Sequence, residues 1–284
     1  MSKFSKCSVN QASSHFEWSY KLTGDIDGVP LLWLHGFMGS GQDWLELTQN
    51  HFTDFCNILV DLPGHGESTL ATGMTFTSML DTLIDQLELS GIEAFIPIGY
   101  SMGGRMAFHL QANAPEKVKA QILLSSAPGL KTQLEREQRV RADGKLMDKL
   151  ESMGFKAFLA EWYSSQLFGS IRNNPDLMDI LTQKRSSNDV EQLRRSLSLM
   201  GNGALSSQWE NLKNMTAPTL LITGESDEKY AHLNQEMHSK IPGSIHQQIK
   251  EAGHAFYLEK PLETARIIRD FLSEIIEGES CDDN

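Results

Sequence analysis

The chain has few cysteines, few prolines, no long apolar run and a deficit of positive charge. Its three cysteines, Cys7, Cys56 and Cys281, are scattered through 284 residues. An odd count with no metal-ligand spacing argues against a disulfide framework or a cysteine-based metal site and points to a reducing compartment, the cytoplasm by default. No apolar stretch approaches the roughly 20 residues that span a bilayer, and the segment Met1-Ser2-Lys3-Phe4-Ser5-Lys6-Cys7-Ser8 lacks the apolar centre of a secretory signal. No membrane partner is expected. Nine prolines and 22 glycines leave no room for a fibrous or low-complexity reading. With 25 Lys and Arg against 37 Asp and Glu, the net charge is −12, which excludes a nucleic-acid partner. Part of the excess lies near the C-terminus, in Glu274, Glu277, Glu279, Asp282 and Asp283, and reads as solubilising charge. Basic residues gather at Arg136, Arg139 and Arg141, at Lys184-Arg185 and at Arg194-Arg195. A solvated helix face and a binding site explain these clusters equally well.

What is present is a 40% apolar chain, long enough for one large domain or a core with an insertion. Alternation in Phe16-Glu17-Trp18-Ser19-Tyr20-Lys21-Leu22 predicts a strand with one exposed face, and Asp25-Ile26-Asp27-Gly28 supplies a turn. Leu31-Leu32-Trp33-Leu34, Ile58-Leu59-Val60, Phe95-Ile96-Pro97-Ile98, Ile122-Leu123-Leu124 and Leu220-Leu221-Ile222 are continuous apolar runs, as expected of strands covered on both faces. Helical patterns at 79–89 and 104–112 sit between consecutive strands, so crossover logic predicts an α/β fold with a mostly parallel sheet and helices on both faces.

The rhythm breaks over residues 131–214, read as a helical cap inserted into a core formed by 1–130 and 215–284. Helix-spaced apolar positions occur at 146–150, 155–162, 177–181 and 190–200, with turns at Gly169-Ser170 and Asn173-Asn174-Pro175. Residues 219–223 resume the sheet, 245–249 close it, and 262–276 form a terminal amphipathic helix. A monomer or small homo-oligomer is expected.

Gly99-Tyr100-Ser101-Met102-Gly103 carries the chemistry, because it sets a serine between two glycines where an apolar strand turns into a helix. Such a turn strains the backbone and leaves the hydroxyl exposed at the strand end. A serine hydroxyl acts at neutral pH only when an imidazole takes its proton and a carboxylate fixes the imidazole tautomer. Asp227 follows the strand at 220–222, and His254 follows the next strand. In a parallel sheet both loops converge on the edge that holds Ser101. Glu225 and Glu228 are neighbouring alternatives to Asp227. Two backbone N–H groups must meet a developing oxyanion, and Met102 and Phe37 are the natural donors. Phe37 lies in His35-Gly36-Phe37-Met38-Gly39, where His35 reads as a stabiliser of the loop. Asp61-Leu62-Pro63-Gly64-His65-Gly66-Glu67-Ser68 reads as a rigid turn.

These motifs, in this order over about 31–272, resemble the α/β-hydrolase superfamily. The resemblance implies the α/β-hydrolase fold. It does not choose among esterases, C–C hydrolases, dehalogenases, lyases and receptors. A sharper resemblance lies outside the triad. Gly99-Tyr100-Ser101-Met102-Gly103-Gly104-Arg105 is similar to the elbow of the 2-succinyl-6-hydroxy-2,4-cyclohexadiene-1-carboxylate synthase family of menaquinone and phylloquinone biosynthesis, as are Ser126-Ala127-Pro128-Gly129-Leu130 with Glu135, Arg136 and Arg139, Glu161-Trp162-Tyr163, Arg185-Ser186-Ser187-Asn188, Gly201-Asn202-Gly203-Ala204 and 224–230.

The resemblance implies a lyase that eliminates pyruvate from a small anionic polycarboxylate, needing neither metal nor organic cofactor. Ser101, His254 and Asp227 would move the proton, and Phe37 and Met102 would hold the oxyanion. Arg105, Arg139, Arg185, Trp162 and Tyr100 would bind substrate. For Arg139 and Arg185 a surface salt bridge stays open, and for Trp162 simple packing. A carboxylesterase or C–C bond hydrolase with the same triad is the competing reading, with a hydrolase-fold ligand receptor behind it.

Overall fold

The computed structural model describes residues 17–165 and 168–282. Cys7, Phe16 and Asp283 lie outside them, as do the side chains of Glu279, Cys281 and Asp282.

A seven-stranded sheet organises the chain. Its strands are β1 (Tyr20–Gly24), β2 (Pro30–Leu34), β3 (Cys56–Val60), β4 (Ile96–Tyr100), β5 (Gln121–Leu124), β6 (Thr219–Gly224) and β7 (Ile245–Ile249), in the spatial order β1-β3-β2-β4-β5-β6-β7. Among these seven strands only the β1–β3 pairing, Tyr20 opposite Val60, is antiparallel. The first strand begins at Tyr20 rather than Phe16. Before it, buried Trp18 donates its indole N–H to Met79 O at 3.0 Å, so its ring packs beneath a helix instead of extending the ladder.

The continuous apolar runs follow from burial of both faces. In β2, Leu31 and Trp33 point into one core cluster and Leu32 and Leu34 into the other. Helices α1 (Leu45–His51), α2 (Phe76–Leu89) and α3 (Met102–Asn113) lie in the first half of the chain. The second half of the core adds α8 (Glu228–His238), α9 (Phe256–Glu259) and α10 (Pro261–Asp282). Met79 and Leu83 of α2, Met106 and Leu110 of α3 and Met237 of α8 cover one face, and Leu47 of α1 with Ile268 and Leu272 of α10 cover the other. Burying each such side chain stabilises the fold by roughly 1.5–3 kcal/mol.

Between β5 and β6 the chain leaves the sheet, and the described residues there form the α-helices α4 (Gln133–Ser164), α5 (Gly169–Arg172), α6 (Pro175–Arg185) and α7 (Val190–Met200), followed by a 3₁₀ turn at Trp209–Asn214. Thr132 starts α4 with a capping box to Glu135. The two short helical patterns expected at 146–150 and 155–162 fall within this one element, which breaks at Gly154 (φ 73°, ψ 162°), a backbone conformation that side chains with a Cβ avoid. Gly169-Ser170, expected as a turn, instead opens α5. Asn174 caps α6 by accepting from Leu177 N, as a turn before Pro175 should. The segment is tied to the core at separate points. Asn188 Nδ2 donates to Met38 O at 2.9 Å, Leu70 N donates to Gln192 Oε1 at 2.7 Å, and Arg185 pairs with Asp43. Among the described residues no helix is long and apolar enough to cross a membrane.

Candidate active site

Ser101 sits where β4 becomes α3, with φ 50° and ψ −104°. Its glycine neighbours make that turn sterically possible. A Cβ on Gly103 would lie 2.2 Å from Leu34 O, and one on Gly99 would lie 2.5 Å from Gly103 O. The strained residue is held from two sides, since Ser101 N donates to Leu124 O at 2.9 Å and Ser126 Oγ donates to Ser101 O at 2.8 Å. Positive φ at a residue with a Cβ costs about 1–3 kcal/mol, which those contacts offset.

The loops after β6 and β7 bring the other groups to the same sheet edge. His254 Nε2 lies 3.2 Å from Ser101 Oγ, and His254 Nδ1 lies 2.6 Å from Asp227 Oδ2. A carboxylate oxygen accepts, so Nδ1 donates to Asp227 and Nε2 is the ring nitrogen turned to the serine hydroxyl. Asp227 also receives Tyr230 N at the start of α8, which fixes its rotamer. Glu225 points elsewhere and accepts from Glu251 N, while Glu228 is exposed. Tyr100, Phe168 and Tyr230 surround the imidazole, with ring centroids 5.3, 5.7 and 4.7 Å away.

Phe37 and Met102 line the cavity above Ser101. Met102 opens α3, so its N–H has no acceptor within the helix. The Phe37 N–H is aimed by its own peptide plane. Gly36 O accepts from His35 Nδ1 at 2.7 Å and from Gly39 N at 2.9 Å, and in a trans peptide the N–H points opposite to the pinned carbonyl. His35 Nε2 in turn accepts from Leu62 N at 2.9 Å. The loop at 61–68 is more than a rigid turn, because its buried His65 packs edge-on against both His35 and Phe37.

Arg105, Arg139, Arg185, Trp162 and Tyr100 all line this cavity, of about 150 Å³, with Ser101 and His254. Their environments differ. Arg105 is buried, and among the described residues its Nε has no hydrogen-bond partner. Burial pushes its guanidinium down to about 10, with Arg139 acting in the same direction and Tyr230 and Asp143 opposing, so it stays charged at neutral pH. Arg139 Nε donates to Asp143 Oδ1 at 2.7 Å. Arg185 is fully engaged in a buried fork, with its two terminal nitrogens 2.8 and 2.7 Å from the Asp43 oxygens. Burial opposes its charge, but Asp43 and Tyr163 outweigh that and raise its pKa. Trp162 serves packing as well as lining, since it stacks on Phe158 at 5.9 Å.

A family model described as the alpha/beta hydrolase fold matches residues 29–261. The chain belongs to the α/β-hydrolase fold family. It is 38% identical over 85% of its length to a Bacillus subtilis (strain 168) protein provisionally named 2-succinyl-6-hydroxy-2,4-cyclohexadiene-1-carboxylate synthase, 89% of which is covered. A Serratia proteamaculans protein with the same synthase name is 27% identical over 88% of this chain and 95% of its own. The structure of MenH from S. aureus superposes with a TM-score of 0.84 at 28% identity, over 90% of this chain and 98% of that one.

Cavity residues to which the motif reading of this α/β-hydrolase gave no site role include Lys229, Tyr230, Tyr163 and Asn202, which lie in its family-like segments, and Phe168. Lys229 and Tyr230 were within reach of it. Asp227 is the N-cap of α8, so the next residues emerge at the same sheet edge. Tyr163 and Phe168 carry no such signal, because helix-spaced aromatics look the same whether they face a core or a cavity.

The buried histidines give the fold an acid limit. Burial drives His35 down to about 3 and His109 to about 4, and it lowers His65 well below 6.5, where the neighbouring His35 adds to the effect. These rings protonate in the unfolded chain below about pH 6.5 but resist it in the folded one, so stability is full above that pH and is lost as pH falls toward 4. Asp61 and Asp143, raised by burial, pull weakly the other way. Urea unfolding should lose several kcal/mol between pH 7 and 4.5, with an upper bound of roughly 8 kcal/mol for three histidines at about 1.4 kcal/mol each per pH unit below 6.5. A flat profile over that range contradicts this account.

Proposed function

We propose that the protein eliminates pyruvate from 2-succinyl-5-enolpyruvyl-6-hydroxy-3-cyclohexene-1-carboxylate, giving 2-succinyl-6-hydroxy-2,4-cyclohexadiene-1-carboxylate, a step of menaquinone or phylloquinone biosynthesis. The observation that carries this reading is Arg105, a buried guanidinium that lines the cavity of Ser101 and His254 and, among the described residues, has no carboxylate within ion-pair distance. A buried cation with an unused donor is costly unless an anion completes it, and a carboxylate fits the planar fork. A pocket for neutral esters has no use for such a group. The synthase names of the relatives support the same substrate class.

In the proposed reaction Ser101 Oγ takes the ring proton next to the succinyl ketone while passing its own proton to His254 Nε2. Asp227 stabilises the imidazolium so formed. The electrons released from the C–H bond first load the ketone oxygen, where the N–H groups of Phe37 and Met102 meet the charge. They then shift through the ring double bond and expel the enolpyruvyl oxygen, which leaves as enolpyruvate and is protonated to pyruvate. No water enters the balance. The cationic cavity holds the carboxylates so that the C–H and C–O bonds are aligned.

Assay of the purified protein with the enolpyruvyl precursor tests this directly. Pyruvate release with growth of diene absorbance is expected. Simple ester turnover without pyruvate release would sink the reading and leave a hydrolase. Arg105→Met should lower kcat/KM for the precursor roughly 10- to 100-fold, the value of a charge-assisted hydrogen bond, while sparing any neutral-ester turnover. Equal losses on both substrates would assign Arg105 to structure alone.

A further inference from the structure

Four cationic side chains line the cavity, Arg105, Arg139, Arg185 and Lys229, but they are not equally available to a ligand. Asp43 neutralises Arg185, and Asp143 neutralises Arg139. Among the described residues neither Arg105 nor Lys229 has a carboxylate within ion-pair distance. Both share the cavity wall with Tyr230. Lys229 Nζ is 5.6 Å from the centroid of the Tyr230 ring, which packs 4.7 Å from the His254 imidazole.

Lys229 also stands where helix stability disfavours it. It is in the first turn of α8, directly after the N-cap Asp227 and Glu228. The N-terminal end of a helix carries partial positive charge, so a lysine there gains nothing from the dipole. Its side chain is exposed at the cavity rim rather than paired on the surface.

We propose that Lys229 is a specificity-determining residue that, together with Arg105, seats a carboxylate on the Tyr230 side of the cavity and selects ligands with three carboxylates over those with two. The inference rests on the polycarboxylate reading above and names a cation that the arginine pattern does not include. Arg185, already satisfied by Asp43, is replaced by Lys229 as an available charge.

Calorimetric titration of the full chain at low ionic strength, with tricarballylate and with glutarate as probes, tests it. The unsubstituted protein should bind the tricarboxylate more tightly. Lys229→Met should narrow that preference by roughly threefold to fivefold, the worth of one partly exposed charge pair. Lys229→Arg should restore it, and added salt should erode it. The melting temperature of Lys229→Met should not fall, as expected for a cation removed from a helix N-terminus. If the unsubstituted protein discriminates and Lys229→Met discriminates equally, Lys229 has no such role and the cavity reading stands. If the unsubstituted protein binds neither probe, the polycarboxylate reading fails and this inference with it.

Discussion

Ser101→Ala is expected to lower pyruvate release by roughly 10³-fold, within the range a positioned proton acceptor contributes, while substrate affinity changes little. The hydroxyl is the group that meets His254 Nε2 at 3.2 Å, and alanine leaves the imidazole with nothing to deprotonate. Retention of more than a tenth of the activity would remove Ser101 from the reaction. Ser101→Gly should be equally inactive yet more stable than Ser101→Ala. At φ 50° and ψ −104° alanine keeps the strain and glycine sheds it. A difference of about 1 kcal/mol follows from the cost of such backbone positions, or some 2 °C in melting temperature for a chain of this size. Identical melting temperatures would mean the turn stores no strain.

The second large effect falls on stability. Asp43→Ala should destabilise the protein by about 3–5 kcal/mol, because it leaves the Arg185 guanidinium buried without its counter-charge. The pair joins the 3₁₀ turn Gly41–Trp44 after β2 to the end of α6, with both side chains almost sealed from solvent. Removing both charges together, in Asp43→Ala with Arg185→Met, should recover most of the loss, since two uncharged side chains carry no desolvation penalty. Chemical denaturation of the two single variants and the double variant measures this coupling. Additive losses would mean that Asp43 and Arg185 act independently.

The same pair marks where sequence reading reached its limit. Apolar runs and turn residues made the parallel sheet legible, because strands buried on both faces cannot alternate. The serine elbow was equally legible, since Gly99 and Gly103 are forced by contacts that a single Cβ would break. Asp227 was separable from Glu225 and Glu228 only in space, where it alone reaches His254. Among the arginines, spacing could announce the i,i+4 partner of Arg139, Asp143, but not that of Arg185. Asp43 lies 142 positions from Arg185, so nothing local announced that one of the expected substrate-binding cations was already paired. The helical segment between β5 and β6 was readable as a break in rhythm. The separation of the expected helical patterns at 146–150 and 155–162 was readable too, and the non-helical Gly154 lies between them.

The order in which the active groups occur along the chain has a consequence for its synthesis. Ser101 and His254 are 153 positions apart, and the imidazole arrives on the loop after β7, the last strand to join the sheet. Contacts so distant form late, after the intervening helices have been made and packed. A nascent chain still lacking β7 already has Ser101, the loop that carries Phe37 and the three arginines, but not His254. A chain made only as far as β7 therefore lacks both the imidazole that meets Ser101 and part of the cavity wall, since Ala255, Tyr257 and Leu258 follow His254.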